Sequence, residues 1–364
     1  MFLMLKNSPV LEVSKEGACE ILDFHRLPFG LRREGVTFPE FVEWAVNRTL
    51  SIDRSNAKAI LNSLRLPQSN QYGVCLACRG LSLEDGYWIR QDGDEKGWED
   101  VNLFRNELSM FLTELALSGS NFRHREEQKI LPVLGPERRL KIHTPELTTW
   151  GVSAKGWIRS ESGLYLHKVG KYEIPASRIL EALGIPHISY EVSEEEEIRE
   201  YISKERKQWI DGVGEKMVKS RLFTDEDISM VTFEEFSAFC GFYGLNPYKE
   251  AMEIDRTSYL QMQAADYLLN NDDRHGQNWG FFMENSTGKL TGYCPLFDHD
   301  HGFSSGRHIF SQTTEKRMTL EEAAIEAQKE LKLDVSGLFQ MERPPYLDNG
   351  QWERVLNRCG VMAM

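Results

Sequence analysis

The chain has 364 residues, with 43 Lys and Arg against 56 Asp and Glu and a formal charge of -13. That length fits about two domains, each large enough to bury a core, and 41% hydrophobic with 27% charged residues is ordinary globular composition. The negative charge opposes phosphate backbones and acidic membrane surfaces, so neither direct nucleic-acid binding nor membrane association is expected.

The first residues, Met1 to Lys6, lack the character of a secretory signal, and no apolar run approaches the roughly 20 residues that span a bilayer, so a cytoplasmic setting is expected. Apolar spacings of three and four predict helices over 38–46, 55–64 and 102–117, an α-rich first third. Cys75 and Cys78 form one C-x-x-C with no second pair or His pair nearby, which points to buried free thiols rather than a zinc site. The polar stretch 118–128 breaks the helical pattern and predicts a linker or exposed loop.

From about residue 145 the pattern changes. The turn-prone run Thr148-Thr149-Trp150-Gly151-Val152 leads toward Trp157-Ile158, and a turn at 160–163 precedes 164–169. This predicts a hairpin with Gly163 in its turn. A helix over 176–183 closes on Gly184, and 188–192 predicts another strand. The acid run 193–197 opens a charged helical stretch, read as a solvated face, and the remainder is expected to be helical apart from one hairpin at 279–297.

Chemistry concentrates around that hairpin. A buried-face helix over 255–270 ends in Asn270-Asn271-Asp272 and is followed by Asp273-Arg274-His275-Gly276-Gln277-Asn278. An antiparallel hairpin brings its open ends together, so Asn278 at one end and Asp298 at the other are expected to be neighbours, with Asp273 in the same loop. Two carboxylates and an amide oxygen are hard ligands of the kind that Mg²⁺ prefers. Asp-x-x-x-x-Asn is also the spacing of base and metal-binding Asn in a phosphoryl-transfer loop. On the strand 164–169, alternation puts Lys168 on the face of Leu164 and Leu166, where a cation needs an anion; Glu173, Glu181 or nucleotide phosphates would serve. A calcium loop starting at Asp298 fails on its later positions, whereas His275, His299 and His301 with the aspartates offer zinc as an alternative.

Asp273-Arg274-His275-x-x-Asn278 followed by Pro295-Leu296-Phe297-Asp298 resembles the HipA-like kinases, and more distantly the phosphatidylinositol-kinase relatives that share a D-R-H-x-x-N loop. Leu166-His167-Lys168, with 173–177 and Leu183-Gly184, is similar to that family's small lobe, and Trp157 fits it. Segments 81–89 and 98–104 resemble the accessory N-terminal region of some bacterial members, so the resemblance runs over most of the chain.

It implies an α+β, bilobal protein-kinase-like fold with an α-rich N-terminal accessory domain at 1–137, a small lobe at 138–192 and a mainly helical large lobe at 193–364. It implies ATP and Mg²⁺ as cofactors, a serine/threonine protein kinase capable of autophosphorylation, a protein substrate, and a small antitoxin-like DNA-binding partner in a toxin–antitoxin pair.

By position, the resemblance makes Asp273 the catalytic aspartate, Asn278 and Asp298 the metal ligands, and Lys168 the phosphate-binding lysine. Thr148, Thr149, Gly151, Ser153 and Glu173 join it as ATP-binding candidates, and Thr148, Thr149 and Ser153 are candidates for autophosphorylation. Two departures stand out: Asp300 occupies the D-F-G glycine position, and the loop 148–156 holds only Gly151 and Gly156. A lipid or small-molecule kinase is the alternative within enzymes. A catalytically silent nucleotide-binding regulator acting through a partner is the alternative outside them, and intact Asp273, Asn278 and Asp298 argue against it.

Overall fold

The computed structural model describes residues 1–118, 144–306 and 308–363. The linker expected over 118–128, Ser118 apart, and the boundary expected at 137/138 lie outside the described residues. The chain forms two compact units. The first comprises Met1–Val169, Ser193–Ser229 and Glu284–Lys289, and the second comprises Gly170–Val192, Met230–Met283 and Leu290–Met364. No helix among the described residues is long and apolar enough to cross a membrane.

The first unit opens with a four-stranded antiparallel sheet that helical spacing did not reveal, alongside the expected helices. Its order is Cys19–Ile21, Ser8–Val13, Phe2–Leu5, Tyr87–Arg90. The helix Phe38–Asn47 begins as predicted, with Pro39 in its first turn and the Glu40 carboxylate accepting from the Thr37 N–H at 2.8 Å. The helix expected over 102–117 forms only in its second half. Trp98–Val101 ends at Asn102, whose side chain donates back to the Trp98 carbonyl and accepts from Arg105 N–H, and a new helix starts only at Met110–Ser118. An Asn that bonds its own backbone in this way competes with helix propagation.

Three buried clusters tie this unit together. Leu50, Ile60, Leu61, Val74 and Leu112 pack with Leu147, Trp88 and Trp98 pack with Leu164, and Leu117 and Ile158 pack with Ile198, Ile210 and Met217. The predicted hairpin is present as Lys155–Ser160 against Gly163–Val169, and Met217–Arg221 pairs antiparallel with the latter. Met217–Arg221 and Ile228–Thr232 are strands where helix was expected. Cys75 and Cys78 are buried free thiols.

In the second unit the helix Arg256–Leu269 runs from an Asp255 cap to Asn270, which takes the left-handed conformation that ends it. The expected late hairpin forms as Gly280–Glu284 and Lys289–Tyr293, and Ile228–Thr232 adds a third strand beside Gly280–Glu284. A Cβ at Gly280 would lie 2.9 Å from the Thr232 Cα, so this close backbone approach demands glycine. Glu173–Ala182, Phe233–Phe242, Pro247–Ile254, Leu320–Leu331 and Asn349–Met362 are further helices of this unit.

Candidate active site

In the second unit the loop 273–278 is organised by Arg274, whose side chain is buried. Its guanidinium donates to both carboxylate oxygens of the buried Asp266 on the preceding helix, at 3.1 and 3.3 Å. The same group donates to the Asn278 carbonyl at 2.7 Å and the Phe297 carbonyl at 2.5 Å. One side chain therefore joins the helix, the loop and the segment that follows the returning strand, at the residue before Asp298. Asn278 Nδ2 donates to the Asp273 carbonyl at 2.8 Å, which fixes the orientation of the side-chain amide. Trp279, the next residue, is stacked between Phe233 and Tyr293 at 4.0 and 6.0 Å.

Asp298 sits at φ +58°, a conformation that costs a residue with a Cβ about 1–3 kcal/mol and that clusters at functional sites. Its carboxylate gathers with those of Glu173 and Asp300, the ligand oxygens lying within 4.8 Å of one another. Glu173 is the first residue of its helix and fully buried. Its Oε2 accepts the His299 backbone N–H at 3.0 Å and lies 3.5 Å from the His299 Nδ1. Burial pushes the His299 imidazole below its ordinary range while Glu173 pulls the other way. Three hard oxygen donors at this spacing fit a small divalent cation such as Mg²⁺.

The three histidines do not form a zinc centre. Among the described residues the one group of three possible metal ligands is Glu173, Asp298 and Asp300. His275 is half-buried and His301 exposed, 3.9 Å from Asp273 and 3.7 Å from Asp272 respectively. Glu181, a candidate partner for Lys168, is exposed.

The first unit holds the other candidates. Lys168 is buried in the central strand Gly163–Val169, with Lys155 directly opposite on the neighbouring strand and also buried. Opposed residues of an antiparallel pair share a face, so two cations lie side by side, an arrangement that is unfavourable without anions. Gly151 has φ +101°, and a side chain there would collide with the Lys155 ammonium. The loop 144–155 is fastened from the N-terminal region. The fully buried Arg54 donates to the carbonyls of Glu146 at 3.3 Å and Thr149 at 3.2 Å, to the Glu146 carboxylate at 3.2 Å, and to the Lys155 carbonyl. Burial lowers the Arg54 guanidinium and raises the Glu146 carboxyl, and each opposes that by holding the other's charge. The Thr148 hydroxyl donates to the Leu81 carbonyl at 2.6 Å, Thr149 donates to Pro145 at 2.8 Å, and Trp150 Nε1 donates to Asn47 at 2.7 Å. Ser153 is half-buried.

Sequence reasoning missed Lys155, Asp300 as a member of an acidic cluster, and the positioning roles of Arg54, Asp266 and Arg274. Lys155 was within reach, because counting back from the turn at 160–163 pairs it with Lys168.

No family model matches the sequence, and no curated protein matches it. Among solved structures, the chain is similar to the HipA protein of Shewanella oneidensis MR-1, a toxin–antitoxin protein solved with HipB and operator DNA. That likeness covers 100% of this chain and 95% of that one, at 12% identity and a TM-score of 0.54. The fold is that of HipA. The expected kinase-like α+β architecture is thereby present, with the HipA fold extending over the N-terminal region as well. A further likeness, to the Helicobacter pylori proinflammatory kinase CtkA, covers 58% of this chain and 90% of that chain at 14% identity and a TM-score of 0.41.

Proposed function

We propose that this chain is an ATP- and Mg²⁺-dependent serine/threonine protein kinase of HipA-like type. The observation that carries the reading is the union, within one compact unit, of an Asp-x-x-x-x-Asn loop fixed by Arg274 and a carboxylate cluster that contains Asp298. Phosphoryl transfer asks a protein mainly for positioning and charge neutralisation, which such a loop and cluster supply. Asp273 accepts the proton of the acceptor hydroxyl. Asn278 Oδ1 and Asp298, with Glu173 and Asp300 beside it, hold the metal, and Lys168 takes phosphate charge, with Lys155 next to it. A Mg²⁺ ion bound there would neutralise phosphate oxygens.

The division into accessory region 1–137, small lobe 138–192 and large lobe 193–364 belongs to the same proposal. So does a small antitoxin-like DNA-binding partner, which the HipA likeness supports because that protein was solved with HipB and DNA. Within the loop 148–153, the Thr148 and Thr149 hydroxyls are committed to carbonyls, so Ser153 is the proposed autophosphorylation site. A phosphoryl group there adds about -1.5 to -2 charge and would repel ATP phosphates.

The test is a thermal-shift titration paired with transfer from γ-labelled ATP. Mg²⁺ and ATP together should raise Tm through binding to the native state, and Asp298→Asn should remove the metal-dependent part. Stabilisation by Zn²⁺ with no response to ATP would overturn the kinase reading.

A further inference from the structure

The second unit has a cavity of about 550 Å³ against the loop 273–278, walled by the start of the helix Phe233–Phe242, by Tyr248, and by His275, Gln277 and Gln312. Gln312 Nε2 donates to the Asp272 carbonyl at 2.6 Å, which fastens the outer wall to the residue before Asp273. On the other side, the Glu234 N–H donates to the Gly276 carbonyl at 2.9 Å and a Cβ at Gly276 would meet that nitrogen at 3.2 Å, so helix and loop are in close register. His275, which lines this cavity, has its Nε2 3.9 Å from the Asp273 carboxylate, the group assigned to the acceptor hydroxyl.

Its chemistry selects the occupant. Glu234 supplies an exposed carboxylate that forms no salt bridge among the described residues. Tyr248 is half-buried beside it, and the buried Phe233 ring packs against Tyr248 at 5.2 Å and against Trp279 at 4.0 Å. Among the described residues no Lys or Arg lines the cavity; Lys249 follows Tyr248 but is not part of the wall. An anion is disfavoured although a helix starts here. The Phe233, Glu234 and Glu235 N–H groups are already taken by the Trp279 carbonyl, the Gly276 carbonyl and the Thr232 hydroxyl. An exposed carboxylate beside the half-buried Tyr248 ring, with no cation among the described lining residues, is a receptor for an ammonium or guanidinium.

We propose that this cavity binds a Lys or Arg side chain of the protein substrate, next to its acceptor hydroxyl. The proposal rests on the kinase reading and names the substrate class, a basic Ser/Thr segment, where that reading leaves it open.

The experiment is fluorescence anisotropy with the full chain. It compares a labelled serine peptide flanked by arginines with its alanine-flanked counterpart, with and without Mg²⁺ and ATP, followed by transfer from γ-labelled ATP to the same peptides. The arginine peptide should bind about five-fold more tightly, the upper range for a partly exposed ion pair. Glu234→Gln should bring that ratio to about one, and Glu234→Lys should shift preference toward a glutamate-flanked peptide. Equal binding of the two peptides by the wild type would overturn the proposal. So would a ratio that survives Glu234→Gln, or a Glu234→Gln defect in ATP binding with the peptide ratio intact. A Glu234-dependent preference without any phosphate transfer would sustain the pocket and defeat the kinase reading.

Discussion

The loop 273–278 and the loop 144–155 each depend on a fully buried arginine, but they draw on different parts of the chain. Arg274 closes its loop from within, binding Asp266 on the preceding helix, Asn278 in the loop and Phe297 just beyond the returning strand. Arg54 stands some 90 residues before the loop it holds, with Leu50, Asn47 and Leu81 adding further ties from the same region. Local specification makes a motif visible as a string of letters. Distant specification leaves the string looking degenerate, which is why 148–156 showed only two glycines and no recognisable phosphate loop.

The largest effect that separates the two loops is expected at Asp273. Asp273→Asn should cut phosphoryl transfer by about 10²–10⁴-fold and leave Mg²⁺–ATP affinity largely intact, because the residue acts on the nucleophile. Lys168→Ala should impair both. Single-turnover transfer and nucleotide titration on the same variants check the difference.

Next are the two arginines themselves. Arg274→Met and Arg54→Met each leave a buried carboxylate without its partner, a loss of about 3–5 kcal/mol in chemical unfolding. The comparison is sharpened by hydrogen exchange under native conditions. Arg54→Met should release amides of 147–155 while 273–278 stays protected, and Arg274→Met should do the reverse. Equal loss of protection in both loops from either variant would erase the distinction.

A smaller effect is set by pH. His167, beside Lys168 on the first unit's sheet, is buried against the Ser193 hydroxyl at 2.9 Å, and burial pushes its pKa down to about 4. The unfolded chain protonates this ring near pH 6.5, so between about pH 6.5 and 4 the unfolded state binds more protons and stability falls as pH falls. The whole window amounts to at most about 3 kcal/mol. His167→Gln should flatten the wild type's acid-side decline by a measurable part of that in urea titrations across pH 4–7. The smallest change is expected at Gly151, where Ala at a φ of +101° should cost about 1–2 kcal/mol and lower ATP affinity while sparing Mg²⁺ binding.

The same contrast explains what the sequence revealed. The helix before Asp273, the loop, the late hairpin and the hairpin around Gly163 were legible because each is made of neighbours with periodic or turn chemistry. The N-terminal sheet was missed for a different reason. Only Tyr87–Arg90 pairs at a distance, across more than 80 residues. Phe2–Leu5, Ser8–Val13 and Cys19–Ile21 pair with chain neighbours but are too short to show a clear alternation. The strand Met217–Arg221 was hidden because it pairs with Gly163–Val169, far back in the chain. Asp300 was set aside as a substituted glycine because its role appears only when the helix bearing Glu173 is brought to it. The break at Asn102 reflects a side-chain bond, which apolar spacing does not encode.

Arg54 also bears on inheritance. Its four acceptors, the Glu146 carboxylate and the Glu146, Thr149 and Lys155 carbonyls, mean that residues 1–118 supply part of the loop that follows them. A recombination event that exchanged this N-terminal region between related genes would separate Arg54 from Glu146 and strand a buried charge, unless both positions travelled together. Among relatives the two should therefore change as a pair, and chimaeras joined between residues 118 and 144 should fold only when the halves agree at these two positions.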